Sequence, residues 1–184
     1  MLNCEAIVRE GSDVTAVLLH PHPDYGGDRF HPVVDALYHG LPVSTLRFDF
    51  RSSDTAAAAA DVREAMAQAP TPAVVLMGYS FGADVALSAA DPRLLAWFAA
   101  AAPLRLVPVA EMAAAGDGRP KRLVVPEHDQ YSAPDRTRQI AGGWPATSIV
   151  TVPSADHFLV GRVGDVLDIA LGWLPEVLAD EPMA

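Results

Sequence analysis

Short, continuous runs of apolar residues recur along the chain, with segments of helical composition between them. The clearest run, AVVLMG at 73–78, is followed by a small-residue segment at 81–90 that ends at Asp91-Pro92. Strands covered on both faces of a sheet show continuous rather than alternating apolar residues. The remaining apolar runs predict strands over 14–20, 43–48, 94–102, 122–126 and 147–152.

Two longer segments carry the signals of helices. Residues 54–69 begin with an acid and a threonine and end just before Pro70, and residues 160–179 place their apolar side chains at helical spacing. Strands that alternate with helices predict βαβ units, and hence an α/β protein with a mostly parallel sheet. The length of 184 residues corresponds to about one domain, so a single domain is predicted over 1–184.

Charge, hydropathy and cysteine content indicate which partners and which compartment to expect. The chain has 13 basic and 23 acidic residues, a net charge of −10 and no basic cluster, so nucleic acid is not an expected partner. The longest apolar run, 94–104, is too short to span a bilayer, and no membrane association is expected. No N-terminal signal segment is recognisable, and a single cysteine, Cys4, is typical of a reducing compartment, which predicts a cytoplasmic protein.

The strongest chemical signal is GYSFG at 78–82, where a predicted strand gives way to a predicted helix. This is the setting of a nucleophile elbow, in which Ser80 occupies a strained turn and Gly78 and Gly82 leave room around it. The N-terminus of the following helix points its N–H groups at developing negative charge. The alternative is a glycine-flanked serine that only caps a helix.

A nucleophilic serine needs a base, which follows it in the chain order Ser, Asp, His. Only two histidines lie downstream of Ser80, namely His128 and His157. His157 follows the predicted strand 147–152 and precedes the last helix, which places it on a loop at a strand end. The alternative is a solvated loop histidine. We therefore predict His157 as the base.

The orienting acid has three candidates. Asp129 follows the strand at 122–126, Glu127 lies closer to that strand, and Asp156 adjoins His157. Because the carboxyl ends of parallel strands lie on one edge of a sheet, Asp129 can converge with the serine and the histidine there. Asp156 would have difficulty curling back onto the ring of its neighbour. Asp129 is therefore the favoured acid.

Taken together, LLHPHPDYGG, LRFDFR, GYSFGA, PEHDQYSAP and ADHFL resemble the α/β-hydrolase family, in that family's order. The likeness is greatest to a short bacterial branch with a strand-end HPHP loop. It implies a minimal α/β-hydrolase fold, a three-layer α/β/α sandwich with little or no lid, a small-molecule acyl substrate and no cofactor. The chain departs from the family at Pro126, where a glycine is common, and at the shortened segment DFRSSD (49–54).

The same resemblance assigns a role to the HPHP loop. The backbone N–H of His22 corresponds to one oxyanion donor of the family, and the N–H of Phe81 to the second. Pro21 and Pro23 have no N–H to offer, but their fixed φ stiffens the loop. A metal site at His20 and His22 is the alternative. It would need two or three further ligands, such as His128 and Asp129.

These residues predict a serine hydrolase that cleaves carboxylic esters or thioesters through an acyl-enzyme. A hydrolase of another acyl bond, peptide or dienelactone-type, and a non-catalytic binding protein of the same fold remain alternatives. Tyr25, Tyr79 and Phe81 are candidate walls of the substrate site, although each could be core. His31 and His39 are expected to be surface or helix residues without a role. The short stretch between the strands at 94–102 and 122–126 leaves little room for a lid, which favours short acyl groups.

Overall fold

A computed structural model describes residues 1–179. It contains seven strands: β1 (Cys4–Ile7), β2 (Val14–Leu19), β3 (Ser44–Phe48), β4 (Ala73–Tyr79), β5 (Leu94–Ala100), β6 (Lys121–His128) and β7 (Thr147–Asp156). Five α-helices connect or follow them: α1 (Pro32–Gly40), α2 (Thr55–Gln68), α3 (Phe81–Ser88), α4 (Pro134–Ala141) and α5 (Val163–Ala179). Residues 180–184, which the single-domain prediction includes, lie outside the described residues.

The strands form one sheet in the order β1-β3-β2-β4-β5-β6-β7. All neighbouring pairs are parallel except β1 with β3, which is antiparallel. The prediction of an α/β fold with a mostly parallel sheet is confirmed. Every apolar run predicted as a strand is a strand, although β7 continues to Asp156 and β5 ends at Ala100.

Helices cover both faces of the sheet, which gives the three-layer sandwich. One core packs α2 and α3 against sheet residues such as Val17 and Leu19, and the other packs α1 and α5 against Ala16 and Leu18. Alternate residues of β2 therefore enter opposite cores, as the period of two in a strand requires. This double burial explains the continuous apolar runs of the sequence.

Three elements are absent from the pattern-based prediction. β1 has only four residues and pairs at the sheet edge, and α4 is so polar that only Thr137 and Ala141 are buried in it. α1 begins with a proline at its first turn and buries Val33, Val34, Leu37 and Tyr38, a helical spacing that could have been recognised. Among residues 1–179, no helix is long and apolar enough to cross a bilayer.

Candidate active site

The sharp turn between β4 and α3 holds Ser80 in a backbone conformation that non-glycine residues rarely adopt, with φ 54° and ψ −117°. The Ser80 N–H donates to the carbonyl of Ala100 on β5 at 2.9 Å, which ties the turn to the sheet. This is the strand–turn–helix geometry that the GYSFG motif predicts. The strain places the hydroxyl at the carboxyl edge of the sheet, ahead of the first turn of α3.

Both glycines of the motif are sterically required. A Cβ on Gly78 would lie 2.3 Å from the carbonyl oxygen of Gly82, and a Cβ on Gly82 would lie 2.4 Å from that of Leu19. Neither contact is possible for a real side chain, and the atoms met are backbone atoms that cannot rotate away. The close approach of β2, β4 and α3 at the elbow therefore requires glycine at both positions.

The structure brings the three predicted residues together. Ser80 Oγ lies 2.9 Å from Nε2 of His157, and Nδ1 of His157 lies 2.8 Å from Oδ2 of Asp129. Their loops follow β4, β7 and β6, three strands whose carboxyl ends share one edge of the sheet. Because a carboxylate only accepts, the Nδ1 of neutral His157 carries the proton and its Nε2 accepts from the serine hydroxyl.

Asp129 is fixed by its second oxygen. Oδ1 accepts the backbone N–H groups of Tyr131 at 2.8 Å and Ser132 at 3.0 Å, so that Oδ2 is directed at the imidazole. The two competing acids are occupied elsewhere: Glu127 accepts from the N–H of Ser154, and Asp156 from that of Phe158. Of the three candidates, only Asp129 contacts the histidine ring.

The imidazole of His157 is nearly buried, and its surroundings hold it in place. The Tyr79 hydroxyl donates to the backbone carbonyl of His157 at 2.8 Å, and the ring of Tyr131 meets the imidazole edge to face at 4.5 Å. Burial raises the pKa of Tyr79 well above its usual range, which keeps this hydroxyl a donor. Tyr79 thus holds the backbone of His157 as well as lining the cavity.

The HPHP loop lies opposite these residues and is anchored by His20. The Phe50 N–H donates to His20 Nε2 at 2.9 Å, so the proton of the neutral ring is on Nδ1, which donates to the carbonyl of Pro21 at 2.6 Å. The Pro21 carbonyl and the His22 N–H belong to one planar peptide group. When His20 fixes this carbonyl, it also fixes the direction of the His22 N–H.

Two backbone N–H groups are available beside the serine. Among residues 1–179, neither the N–H of His22 nor that of Phe81 donates to a protein acceptor, and the latter opens α3. Gly27 closes the loop behind His22, since its N–H donates to the His22 carbonyl at 3.1 Å and a Cβ there would lie 2.2 Å from the Pro21 oxygen. Gly27 therefore constrains the loop in addition to the hydrogen bonds of His20.

The alternative of a metal site does not suit the two histidines of the loop. His20 uses both ring nitrogens in hydrogen bonds to the backbone, and the ring of His22 packs against Tyr25 and Phe81. Across residues 1–179, no three side chains from His, Cys, Asp and Glu form a group that could hold a metal ion.

A cavity of about 450 Å³ opens above Ser80 and His157. Tyr79 and Tyr25 line it, the latter with 88% of its surface exposed. Phe81 does not line the cavity. Its side chain is buried in the core between His22 and Phe50, which is the alternative that the sequence left open for this residue.

His31 corrects a sequence-based expectation. It caps α1 by accepting the Val33 N–H on Nδ1, its ring stacks on Tyr79 at 4.9 Å, and it lines the cavity. His39, in contrast, is exposed on the last turn of α1, as expected. The pattern of the sequence gives no sign of the difference, because the contact of His31 with Tyr79 joins residues 48 positions apart.

His20 leads to a pH-dependent prediction. Burial lowers the pKa of His20 below its usual value of 6.5, so the folded protein resists the proton that the unfolded chain accepts. Stability is then retained above pH 6.5 and is lost as the pH falls through 6.5 toward the lowered folded value, by up to about 1.4 kcal/mol per pH unit for each proton. In His20→Gln, which keeps a donor and an acceptor but does not titrate, the free energy of unfolding should fall less steeply between pH 7 and 5.

Urea unfolding at several pH values measures this slope. Burial also lowers the pKa of His31, which is unchanged in this variant. The pH dependence of the free energy of unfolding should therefore become less steep without disappearing. Gln139→Ala, at an exposed position on α4, leaves every titratable group in place; it is the control and should keep the wild-type slope. An unchanged slope in His20→Gln would contradict the prediction.

Three bacterial structures share this architecture. An α/β serine hydrolase homologue from Coxiella burnetii is 21% identical over 93% of this chain and 90% of its own, with a TM-score of 0.81. A protein of unknown function from Agrobacterium tumefaciens, a putative α/β hydrolase, is 20% identical over 100% and 95%, with a TM-score of 0.82. A Xanthomonas campestris protein described as a lidless α/β serine hydrolase is 22% identical over 100% and 91%, with a TM-score of 0.79.

No protein-family profile and no curated protein matches the sequence. The structural likeness extends over almost the whole chain at about one-fifth identity, and it establishes the fold. The chain has a minimal α/β-hydrolase fold, as the five sequence motifs indicate.

Proposed function

We propose that this protein is a serine hydrolase that cleaves carboxylic esters or thioesters. The observation that carries the proposal is the continuous hydrogen-bonded chain from Ser80 through His157 to Asp129 on a strained elbow. In this arrangement each group can perform one step of acyl transfer.

The reaction has two halves. His157 Nε2 takes the proton of Ser80 as Oγ attacks the acyl carbonyl, and Asp129 stabilises the imidazolium that forms. The oxyanion is held by the N–H groups of His22 and Phe81, and collapse of the tetrahedral intermediate expels the alcohol or thiol, which takes the proton from His157. Water activated by His157 then attacks the acyl-enzyme, and Ser80 regains its proton as the acid leaves.

The substrate is proposed to be a small acyl compound rather than a nucleic acid or a membrane. The segment between β5 and β6 contains only two single-turn 3-10 helices, Val109–Glu111 and Ala113–Ala115, and the cavity remains open to solvent. An open cavity of this size favours short acyl groups that need no enclosure. The single thiol, Cys4, supports a cytoplasmic location as part of the same proposal.

Covalent labelling tests the proposal. A fluorophosphonate probe should react with the wild-type protein at Ser80 alone, as mapped by mass spectrometry of the digested adduct, because only an activated serine attacks such a probe. Ser80→Ala should not be labelled. Ser53→Ala, which removes a half-buried hydroxyl that donates to Asp24 beside the HPHP loop at 2.6 Å, is the control and should label like the wild type.

The labelling result also separates the proposal from a binding protein of the same fold. A folded wild-type sample that resists the probe would mean that the elbow is not activated, and the proposal would fail. Adduct formation at another serine would overturn the assignment of the nucleophile.

A further inference from the structure

The cavity above Ser80 differs in charge from the rest of the molecule. The chain carries 23 acidic residues, yet none of the aspartates and glutamates within residues 1–179 lines the cavity. The lining is aromatic, histidine-bearing and apolar, and Arg105 is the one lysine or arginine that the described residues contribute to it. In a protein with a net charge of −10, a cavity whose described lining has a guanidinium and no carboxylate is suited to an anion.

The guanidinium of Arg105 has no hydrogen-bond or ion-pair partner within residues 1–179. It lies over the ring of Tyr131 in a cation–π contact, with the ring centroid 5.0 Å from Cζ. By contrast, most other arginines lie within 4.0 Å of a carboxylate, namely Arg29, Arg47, Arg51, Arg93, Arg119, Arg122, Arg138 and Arg162. The charge of Arg105 therefore remains available to a ligand.

Arg105 is also close to the reacting groups. The Tyr131 ring on which it lies contacts the imidazole of His157 at 4.5 Å between centroids. A single aromatic ring thus separates the guanidinium from the proposed base. An anionic group held by Arg105 would belong to a substrate whose acyl carbonyl can reach Ser80.

The backbone that presents Arg105 is held by a buried acid. The carboxylate of Asp84, on α3 just after the elbow, accepts the N–H groups of Leu104, Arg105 and Leu106 at 2.8, 3.0 and 2.9 Å. Asp84 is fully buried, and Leu104 adopts a φ of 52°, so the segment has a defined and unusual path. The segment with Arg105 is therefore fixed to the same helix that follows the nucleophile.

We propose that Arg105 binds an anionic group of the substrate, a carboxylate or a phosphate, and so selects acidic esters or thioesters over neutral ones. The proposal rests on the proposed function for the site it serves. A planar guanidinium receives the two oxygens of a carboxylate or phosphate bidentately, which gives orientation as well as charge. Carboxylates and phosphates share this chemistry, but they occur in different substrates, such as half-esters of dicarboxylic acids and thioesters of phosphate-bearing thiols.

Matched substrate pairs test the selection. In the carboxylate arm, kcat/KM for 4-nitrophenyl hydrogen glutarate is compared with that for its neutral methyl ester. In the phosphate arm, acetyl-CoA is compared with S-acetylpantetheine, which lacks the phosphates. The wild-type protein should prefer the anionic member of at least one pair by about tenfold, and the arm in which this occurs identifies the source of the anion.

The variants separate Arg105 from the overall charge. Arg105→Met should abolish the preference and Arg105→Glu should reverse it, each measured as the ratio of kcat/KM for the two members of a pair, so that a change common to both members cancels. Arg63→Met, at an exposed position of α2 outside the cavity, removes the same charge and should keep the preference. In 1 M salt, where the screening length is about 3 Å, the wild-type preference should decrease.

Failure of the proposal is distinct from failure of the proposed function. If neutral esters are cleaved in a Ser80-dependent way but the ratios are near one, or survive in Arg105→Met, the role of Arg105 is overturned and the hydrolase stands. If no ester is cleaved, calorimetric binding of monoethyl glutarate to the wild-type protein decides. Binding that Arg105→Met abolishes supports the anion site, and binding that is absent or unchanged in Arg105→Met overturns it.

Discussion

Ser80→Ala should lower kcat for a short-chain 4-nitrophenyl ester by about 10⁶-fold, with KM almost unchanged. The variant loses the hydroxyl that lies 2.9 Å from His157 Nε2, but it keeps the elbow backbone and both proposed oxyanion donors. A residual rate above that in water is therefore expected, because pre-oriented N–H groups still stabilise the transition state of attack by water. Initial rates at saturating ester measure the loss.

Ser88→Ala is the matched control for this experiment. It removes a hydroxyl from the same helix, where Ser88 Oγ donates to the Val85 carbonyl at 2.7 Å, without touching the cavity. Its kcat should stay within about twofold of the wild type, and circular dichroism should show both variants folded. Ester cleavage at an undiminished rate in Ser80→Ala would remove Ser80 from the mechanism.

Asp129→Asn should lower kcat by about 10⁴-fold. The side-chain oxygen at the Oδ1 position already accepts the N–H groups of Tyr131 and Ser132, so the asparagine keeps its oxygen there and turns its NH₂ toward His157. The NH₂ then donates to Nδ1, the ring proton moves to Nε2, and the imidazole can no longer accept the proton of Ser80. The histidine remains in place in the wrong tautomer.

Asp156→Asn and Glu127→Gln are the controls, since both are acids near the histidine that accept backbone N–H groups rather than contacting the ring. Each should lower kcat by less than about tenfold. Kinetics at several pH values and thermal unfolding separate a lost tautomer from a lost fold. A small effect of Asp129→Asn beside a large effect of Asp156→Asn would reassign the acid.

The fold was largely predictable because its strands are buried on both faces. Double burial makes β2, β4 and β5 continuous apolar runs, and boundary residues such as Asp54 and Pro70 mark the helices between them. Two of the three elements that escaped prediction lack that signal, whereas α1 carries a helical spacing. The edge strand β1 is short and half exposed, and α4 contacts the sheet through few side chains.

The residues of the predicted triad could be selected for a related reason. The elbow requires glycine at 78 and 82 for steric reasons, and these glycines form a motif that can be recognised in the sequence. The ends of the apolar runs also mark the ends of the strands, where His157 and Asp129 follow. The choice of Asp129 among three acids used the position of each relative to its strand, and the structure places only Asp129 on the ring.

The sequence by itself determined the strands β2 to β7, the helices α2, α3 and α5, the elbow and the residues that follow the strand ends, because each depends on neighbours within a few positions. Only the tertiary structure decided that Asp84 holds the segment of Arg105, that His20 orients the peptide of His22, and that His31 lines the cavity. These contacts join groups from different loops or strands, or depend on which way a ring or peptide faces. No periodicity along the chain records such a contact, because it exists only once the sheet has brought those segments to one edge.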